Sequence, residues 1–179
     1  AKVQLAIAKT GYVPNLLAGG LRSNKSRLVA ALIPTLGGPV FSEIVQALTV
    51  ALSERGYQLM LGQSGYADSR EDDLLGAIIG RRPDGIVLTG VSHSVEARRR
   101  LMAAGIPVVE TWDLTPTPID MVVGFSHTAV AEAVCRRLYA GGRRRLAVIG
   151  ADDERSLRRT AAFLATARSL GLPEPAMHQ

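Results

Sequence analysis

The chain has 179 residues, of which 47% are hydrophobic and 21% charged, so it is long and apolar enough to bury a real core and is expected to be soluble and globular rather than disordered. Its net charge of +5 favours a polyanion as partner, although the arginines at 98–100 and 143–145 read equally well as solvated surface. The single cysteine, Cys135, excludes an internal disulfide and lies in an apolar helical pattern, as a buried inert thiol would.

In chain order, Val3, Ala6 and Ile7 share a helical face, and Gly11 is a natural stop after Thr10. The stretch GYVPNLLAGGLRSNKSRL follows, at 11–28. Pro14 removes an amide donor and disfavours a helical Val13, while Asn15 is a good N-cap. A short helix is expected from Leu16, with Leu17 and Leu21 on one face, Ala18 beside them, and Arg22, Lys25 and Arg27 immediately after. Two turns of helix are marginal alone, and Gly19 and Gly20 each cost about 1 kcal/mol relative to Ala. Such a segment needs a partner to fold against, and its basic flank suggests a polyanionic one. A flexible basic linker is the alternative reading.

From Leu28 the pattern changes to alternating strands and helices. Strands are expected at 28–33, 57–61, 85–89 and 106–111, with a further short one at 121–123. Between them, helices carry Phe41, Ile44, Val45, Leu48 and Leu52; then Leu74, Leu75, Ile78 and Ile79; then residues 94–104; and, after 123, residues 128–140. Strict alternation implies parallel strands with right-handed crossovers and helices on both faces. A strand at 146–149 and a helix at 157–170 open a second unit that cannot close a core of its own.

In an open parallel sheet, ligands bind beyond the carboxyl ends of the strands. This rule selects Thr35 and the 37–42 loop, Ser64, Thr89 and the Trp112-Asp113 pair. Ser64, Thr89 and Asp113 suit hydroxyl groups, and Phe41 could supply an apolar wall. Phe41 reads equally as the first core residue of its helix, and Trp112 as packing beneath the rim. An enzyme needs a constellation that is not found. Lys25-Ser26 lacks the glycine of a phosphate loop, no Gly-x-Gly-x-x-Gly follows the first strand, and His93, His127 and His178 are not at metal-ligand spacing. No catalytic residue, metal ligand or cofactor is assigned. His127, at a helix start, reads as a cap-region residue.

The order Gly-Tyr-x-Pro-Asn at 11–15, followed by a short leucine-bearing segment, resembles the lactose-repressor family of bacterial transcription regulators. The resemblance covers essentially the whole chain. It implies an α/β fold of periplasmic-binding-protein-like parallel-sheet lobes, preceded by the end of a helix-turn-helix headpiece. The implied divisions are 1–14 for the headpiece end, 15–27 for a hinge helix and linker, 28–142 for the N-terminal lobe and 143–179 for the start of an incomplete C-terminal lobe. It also implies a homodimer on double-stranded operator DNA, with Asn15, Leu17, Ala18, Leu21 and Arg22 at the DNA and Leu21 matching the residue that wedges into a central base step. Gly19 and Gly20 depart from the family pattern and weaken the helix.

Further implications concern the effector, a small molecule bound between the two lobes. Arg159-Thr160-Ala161-Ala162-Phe163 resembles the family's Arg-x-x-Gly-aromatic pattern with Ala162 in place of glycine, making Arg159 an effector contact, with Arg155 and Arg158 nearby. The runs RRPDGIVLTG at 81–90 and GIPVVETWDLT at 105–115 look most like regulators of gluconate use, and a sugar acid suits arginines that can bind a carboxylate in bidentate fashion. The expected protein is therefore a cytoplasmic repressor of sugar or sugar-acid catabolism. The rival is a periplasmic-type sugar-binding protein without DNA binding; it should carry a signal peptide and no basic hinge. Neither a signal peptide nor an apolar run long enough for a membrane span is found.

Overall fold

The computed structural model describes residues 2–12, 25–65 and 68–178. The expected hinge contacts Asn15, Leu17, Ala18, Leu21 and Arg22 lie outside these residues. The described chain divides into two compact units, residues 1–87 with 94–108 and residues 88–93 with 109–179.

The first unit opens with α1 (Lys2–Thr10), closed by the Thr10 hydroxyl on the Ala6 carbonyl at 2.8 Å and by Gly11 in the left-handed conformation that glycine tolerates. Strand β1 (Leu28–Ile33) is the uninterrupted apolar run LVAALI, and its last four residues are buried. That pattern belongs to a strand covered on both faces. Helix α2 (Pro39–Ser53) starts with proline at the position where a missing amide proton costs nothing. Strand β2 (Gln58–Gln63) pairs in parallel with β1, from Leu28 opposite Gln58 to Ile33 opposite Gln63.

Helix α3 (Asp68–Ile79) buries Leu75 and Ile78, and β3 (Gly85–Thr89) buries Ile86 and Leu88. Helix α4 (Val95–Ala104) is capped by Ser94, whose hydroxyl oxygen accepts the Ala97 amide at 2.9 Å and donates to Asp72 at 2.8 Å. Gly105, with φ of 64°, ends it. Strand β4 (Val108–Thr111) and β5 (Met121–Val123), which apart from Val108 belong to the second unit, are parallel, and the five strands are hydrogen-bonded in the order β2-β1-β3-β4-β5. The order reverses beside β1, as in doubly wound folds.

Asp84 fastens the segment entering β1. Its carboxylate accepts the Ser26 amide at 2.8 Å, the Ser26 hydroxyl at 3.0 Å and the Arg27 amide at 3.2 Å. Burial pushes the Asp84 pKa up, but these three bonds and the charge of Lys25 prevail and hold it below the ordinary carboxylate value.

In the second unit, helix α5 (His127–Ala140) is capped by Ser126, which accepts the Ala129 amide at 3.1 Å. Strand β6 (Ala147–Ile149) pairs in parallel with β7 (Ala176–His178), a strand that the sequence did not announce. Helix α6 (Glu154–Ser169) begins three residues earlier than its apolar periodicity suggests, because Asp153 caps it by accepting the Ser156 amide at 3.0 Å. Ala131 and Cys135 of α5 pack with Phe163 and Ala167 of α6, flanked by Leu146, Val148, Leu170 and Leu172. Cys135 is a buried free thiol, and burial raises its pKa.

Candidate functional site

The second unit holds a cluster of polar side chains, buried in the turn after β4 and at the start of α5 and half-buried or exposed in the first turns of α6. Asp113 is 2% exposed and lies in the turn. Its Oδ1 accepts the Leu114 amide at 2.8 Å, and its Oδ2 accepts Arg158 Nη1 at 2.7 Å. The same guanidinium donates through Nη2 to Glu154 Oε1 at 2.8 Å. A bond from the Ser92 hydroxyl is the main cause holding the Glu154 carboxyl below its ordinary value; burial opposes it, and Arg158 and Arg155 reinforce it.

The turn itself is unusual. Trp112 has φ of 72°, a left-handed conformation that bulky residues rarely adopt. Gly124 lets the chain pass close beneath it: a Cβ built there would stand 2.7 Å from the Asp113 amide nitrogen, nearer than any side chain tolerates. The rings of Trp112 and Phe125 meet edge to face with centroids 5.8 Å apart, and those of Phe125 and His127 at 4.9 Å.

His127 is 3% exposed and bonded on both ring nitrogens. Nε2 lies 2.8 Å from the Trp112 carbonyl oxygen, and Nδ1 lies 2.9 Å from Arg159 Nη1. A guanidinium has donors only, so Nδ1 must accept and Nε2 must carry the proton. One arginine, Arg158, is thus anchored on a carboxylate and its neighbour Arg159 on a neutral imidazole.

A second buried pair lies in the same unit. Glu110 is fully buried in β4, with Oε2 accepting the Ile119 amide at 2.6 Å and Oε1 facing His93 Nε2 at 3.4 Å. Burying a carboxylate is costly unless it is bonded or paired, so Glu110 acts as a brace between β4 and the loop that precedes β5.

The expected ligand contacts divide between the two units. In the first, Thr35 follows β1 and its hydroxyl oxygen accepts the Gly37 amide at 3.0 Å; Phe41 is half-buried in the first turns of α2; Ser64 is 7% exposed, with Oγ 3.0 Å from the Gly65 carbonyl oxygen. In the second, Thr89 ends β3, Asp113 is engaged by Arg158, and Arg155 stands 3.8 Å from Asp153. The structure therefore brings Asp113, Arg158, Arg159 and His127 into one cluster within the second unit, with Trp112 as its aromatic side. The sequence reads His127 as a cap-region residue, and it is indeed the first residue of α5 after the Ser126 cap, but sequence reasoning gives it no place in the site and assigns no role to Glu110 or Gly124. Only the helix-start position of His127 was visible, and its bond to Arg159 joins residues 32 apart.

Among the described residues no group of three or more His, Cys, Asp or Glu side chains could hold a metal ion, and no helix is long and apolar enough to cross a membrane.

Residues 26–179 match the family described as periplasmic binding proteins and sugar binding domain of LacI family. The chain is 37% identical over 177 residues to the HTH-type transcriptional regulator GntR of Pseudomonas aeruginosa, covering 98% of this chain and 52% of the relative. It is 32% identical over 157 residues to the Escherichia coli protein of the same name, covering 87% of this chain and 47% of that one. Among solved structures, a LacI-family transcriptional regulator from Silicibacter pomeroyi superposes with a TM-score of 0.89 at 34% identity, over 98% of this chain and 54% of the other. The transcription regulator GntR from Chromobacterium violaceum gives 0.75 at 35% identity, over 82% and 54%. The chain spans about half the length of the curated relatives it matches. The sheet order, the second α/β unit and the match across residues 26–179 make this chain a member of the family of periplasmic binding proteins and LacI-family sugar-binding domains.

Proposed function

We propose that this chain is the effector-binding part of a cytoplasmic, homodimeric transcription repressor that binds double-stranded operator DNA and is switched by a small sugar or sugar acid, of which gluconate is the first candidate. The observation that carries the reading is the 37% identity, over nearly the whole chain, with a relative named as an HTH-type transcriptional regulator. The fold alone would serve a periplasmic sugar-binding protein equally well. The basic flank Arg22, Lys25 and Arg27 supports the DNA-binding reading, since neutralising phosphates is the main source of affinity for a duplex.

In this reading Arg159 takes the carboxylate of the effector. Asp113 and Arg158 offer an acceptor and donors for hydroxyl groups, and Thr35, Phe41, Ser64, Thr89 and Arg155 complete the contacts. Effector binding shifts the population between two arrangements of the lobes, and that shift changes how the segment with Leu17, Ala18 and Leu21 meets the minor groove, with Asn15 capping it. A coupling of about 1–3 kcal/mol would change operator affinity roughly 5-fold to 150-fold.

Calorimetry on the full natural chain tests the site. Wild type is expected to bind gluconate more tightly than glucose, and Arg159→Ala to lose at least about tenfold in gluconate affinity, the worth of a charge-assisted bond. Equal gluconate affinity in the two proteins would remove Arg159 from the site.

A further inference from the structure

Of the buried polar side chains that the effector reading leaves without a task, His127 is the one bonded to Arg159. It is not a spare core histidine. One ring nitrogen is bonded to Arg159, the side chain assigned to the effector, and the other to the backbone of the Trp112 turn. We propose that His127 is a positioning residue for effector recognition: as a neutral imidazole protonated on Nε2, it holds the Arg159 guanidinium in the orientation that captures a carboxylate, and so sets the preference for acidic over neutral sugars. The proposal rests on the reading of Arg159 as effector contact and deepens it.

The argument is one of donors and acceptors. Arg159 has five N–H donors and no acceptor, so an ordered guanidinium needs acceptors on the protein side as well as on the ligand side. His127 Nδ1, at 2.9 Å, is such an acceptor. It is neutral, so it fixes direction without cancelling the positive charge, whereas Asp113 neutralises the neighbouring Arg158 at 2.7 Å. The adjacent arginines are thereby differentiated, one matched by a carboxylate of the protein and the other retaining its charge for a carboxylate of the ligand.

The imidazole is itself locked from three sides. The Trp112 carbonyl takes its Nε2 proton at 2.8 Å, the Phe125 ring packs against it at 4.9 Å, and burial leaves it 3% exposed. The second-unit groups facing the ring are the Arg159 guanidinium from α6, the Trp112 carbonyl from the turn after β4 and the Phe125 ring from the loop before α5. Asp113 and Arg158, next in sequence to two of them, are paired with each other. Protonating the ring would place an N–H on Nδ1, directed at an N–H of Arg159, and the bond would be replaced by repulsion between two cations. Binding of an acidic effector should then weaken once acidification places that second proton on the ring.

The experiment uses the full natural chain with gluconate and glucose as probes. Calorimetry between about pH 8 and pH 5 compares wild type, Arg159→Ala, His127→Leu and His127→Asn, with circular dichroism to confirm folding. In parallel, nitrogen NMR of histidine-labelled wild-type protein reads the ring state without ligand. The expected results are a His127 ring protonated on Nε2 alone at neutral pH and a loss of about tenfold or more in gluconate affinity for His127→Leu, with glucose binding little changed. His127→Asn places an amide oxygen near the position of Nδ1; it should recover most of the affinity and flatten the pH dependence. Gluconate affinity unchanged in Arg159→Ala would overturn the effector reading and this proposal together. A loss in Arg159→Ala with none in His127→Leu, or a His127 ring protonated on Nδ1 at neutral pH, would overturn the proposal alone.

Discussion

The two compact units bury different kinds of side chain. The first is dry: Ala30, Ala31, Leu32 and Ile33 of β1, Leu75 and Ile78 of α3, Ile86 of β3, and Ala97 and Leu101 of α4 are all at most 5% exposed, and Ser64 is its one buried polar residue among those described. The second unit buries Glu110, Asp113, His127, Ser156, Thr160 and Thr166 alongside the apolar Leu88, Ala131, Cys135, Phe163 and Ala167. An apolar core draws its stability from area removed from water, at roughly 25 cal/mol per Å². A polar one gains less, because each bonded group must first be desolvated; what it provides is fixed direction. The first unit therefore rests almost wholly on apolar burial, whereas the second adds to its apolar cluster a set of bonded polar groups, which the proposed function assigns to the effector.

Three substitutions probe this division. Leu75→Ala in the dry unit should cost about 3 kcal/mol, measured by urea unfolding, because a fully buried leucine leaves a cavity that neighbouring side chains only partly fill. Its effector affinity should stay at the wild-type value. A change in affinity as large as the change in stability would mean that the units do not separate the two tasks.

Gly124→Val should cost about 2 kcal/mol, since the new side chain must displace the Asp113 backbone. Here stability and effector affinity should fall together, because the turn that presents Asp113 and the Trp112 carbonyl is the part displaced. Wild-type effector affinity in a folded Gly124→Val protein would contradict the role given to that turn.

Asp84→Asn should cost about 1 kcal/mol, through weaker bonds to Ser26 and Arg27. The sign with pH follows from the lowered folded pKa. The carboxylate's contribution is complete above the ordinary value of 3.8 and disappears as pH falls through the lower folded value, because the unfolded chain then binds the proton more readily. The stability difference between wild type and Asp84→Asn should therefore be flat down to about pH 4 and close below it. A difference that already closes between pH 7 and 5 would point to a different group.

The fold was legible where one physical signal dominated. The run LVAALI could hardly be anything but a buried strand, and Ser94 with Gly105 marked both ends of α4. The start of α6 was misplaced because apolar periodicity begins at Leu157 while the cap, Asp153, precedes a polar first turn of Glu154, Arg155 and Ser156. Strand β7 escaped notice because its three residues are all exposed and two prolines, Pro173 and Pro175, stand just before it. The rim rule led to Asp113 and the family pattern to Arg159, but neither disclosed that Asp113 is already bound by Arg158 or that His127 holds Arg159. Those bonds join α6 to residues 45 and 32 positions earlier, and no local pattern encodes them.

The measurement that bears most directly on the proposed function is fluorescence anisotropy of the full natural chain on a pseudo-palindromic duplex with a central CpG step, across a salt series, with and without gluconate. The prediction is tight binding that falls steeply with salt and that gluconate shifts roughly 5-fold to 150-fold, with Leu21→Ala weakening binding to the same duplex. No binding to this duplex or to a randomised operator pool would contradict the repressor and favour a sugar-binding protein that does not engage DNA.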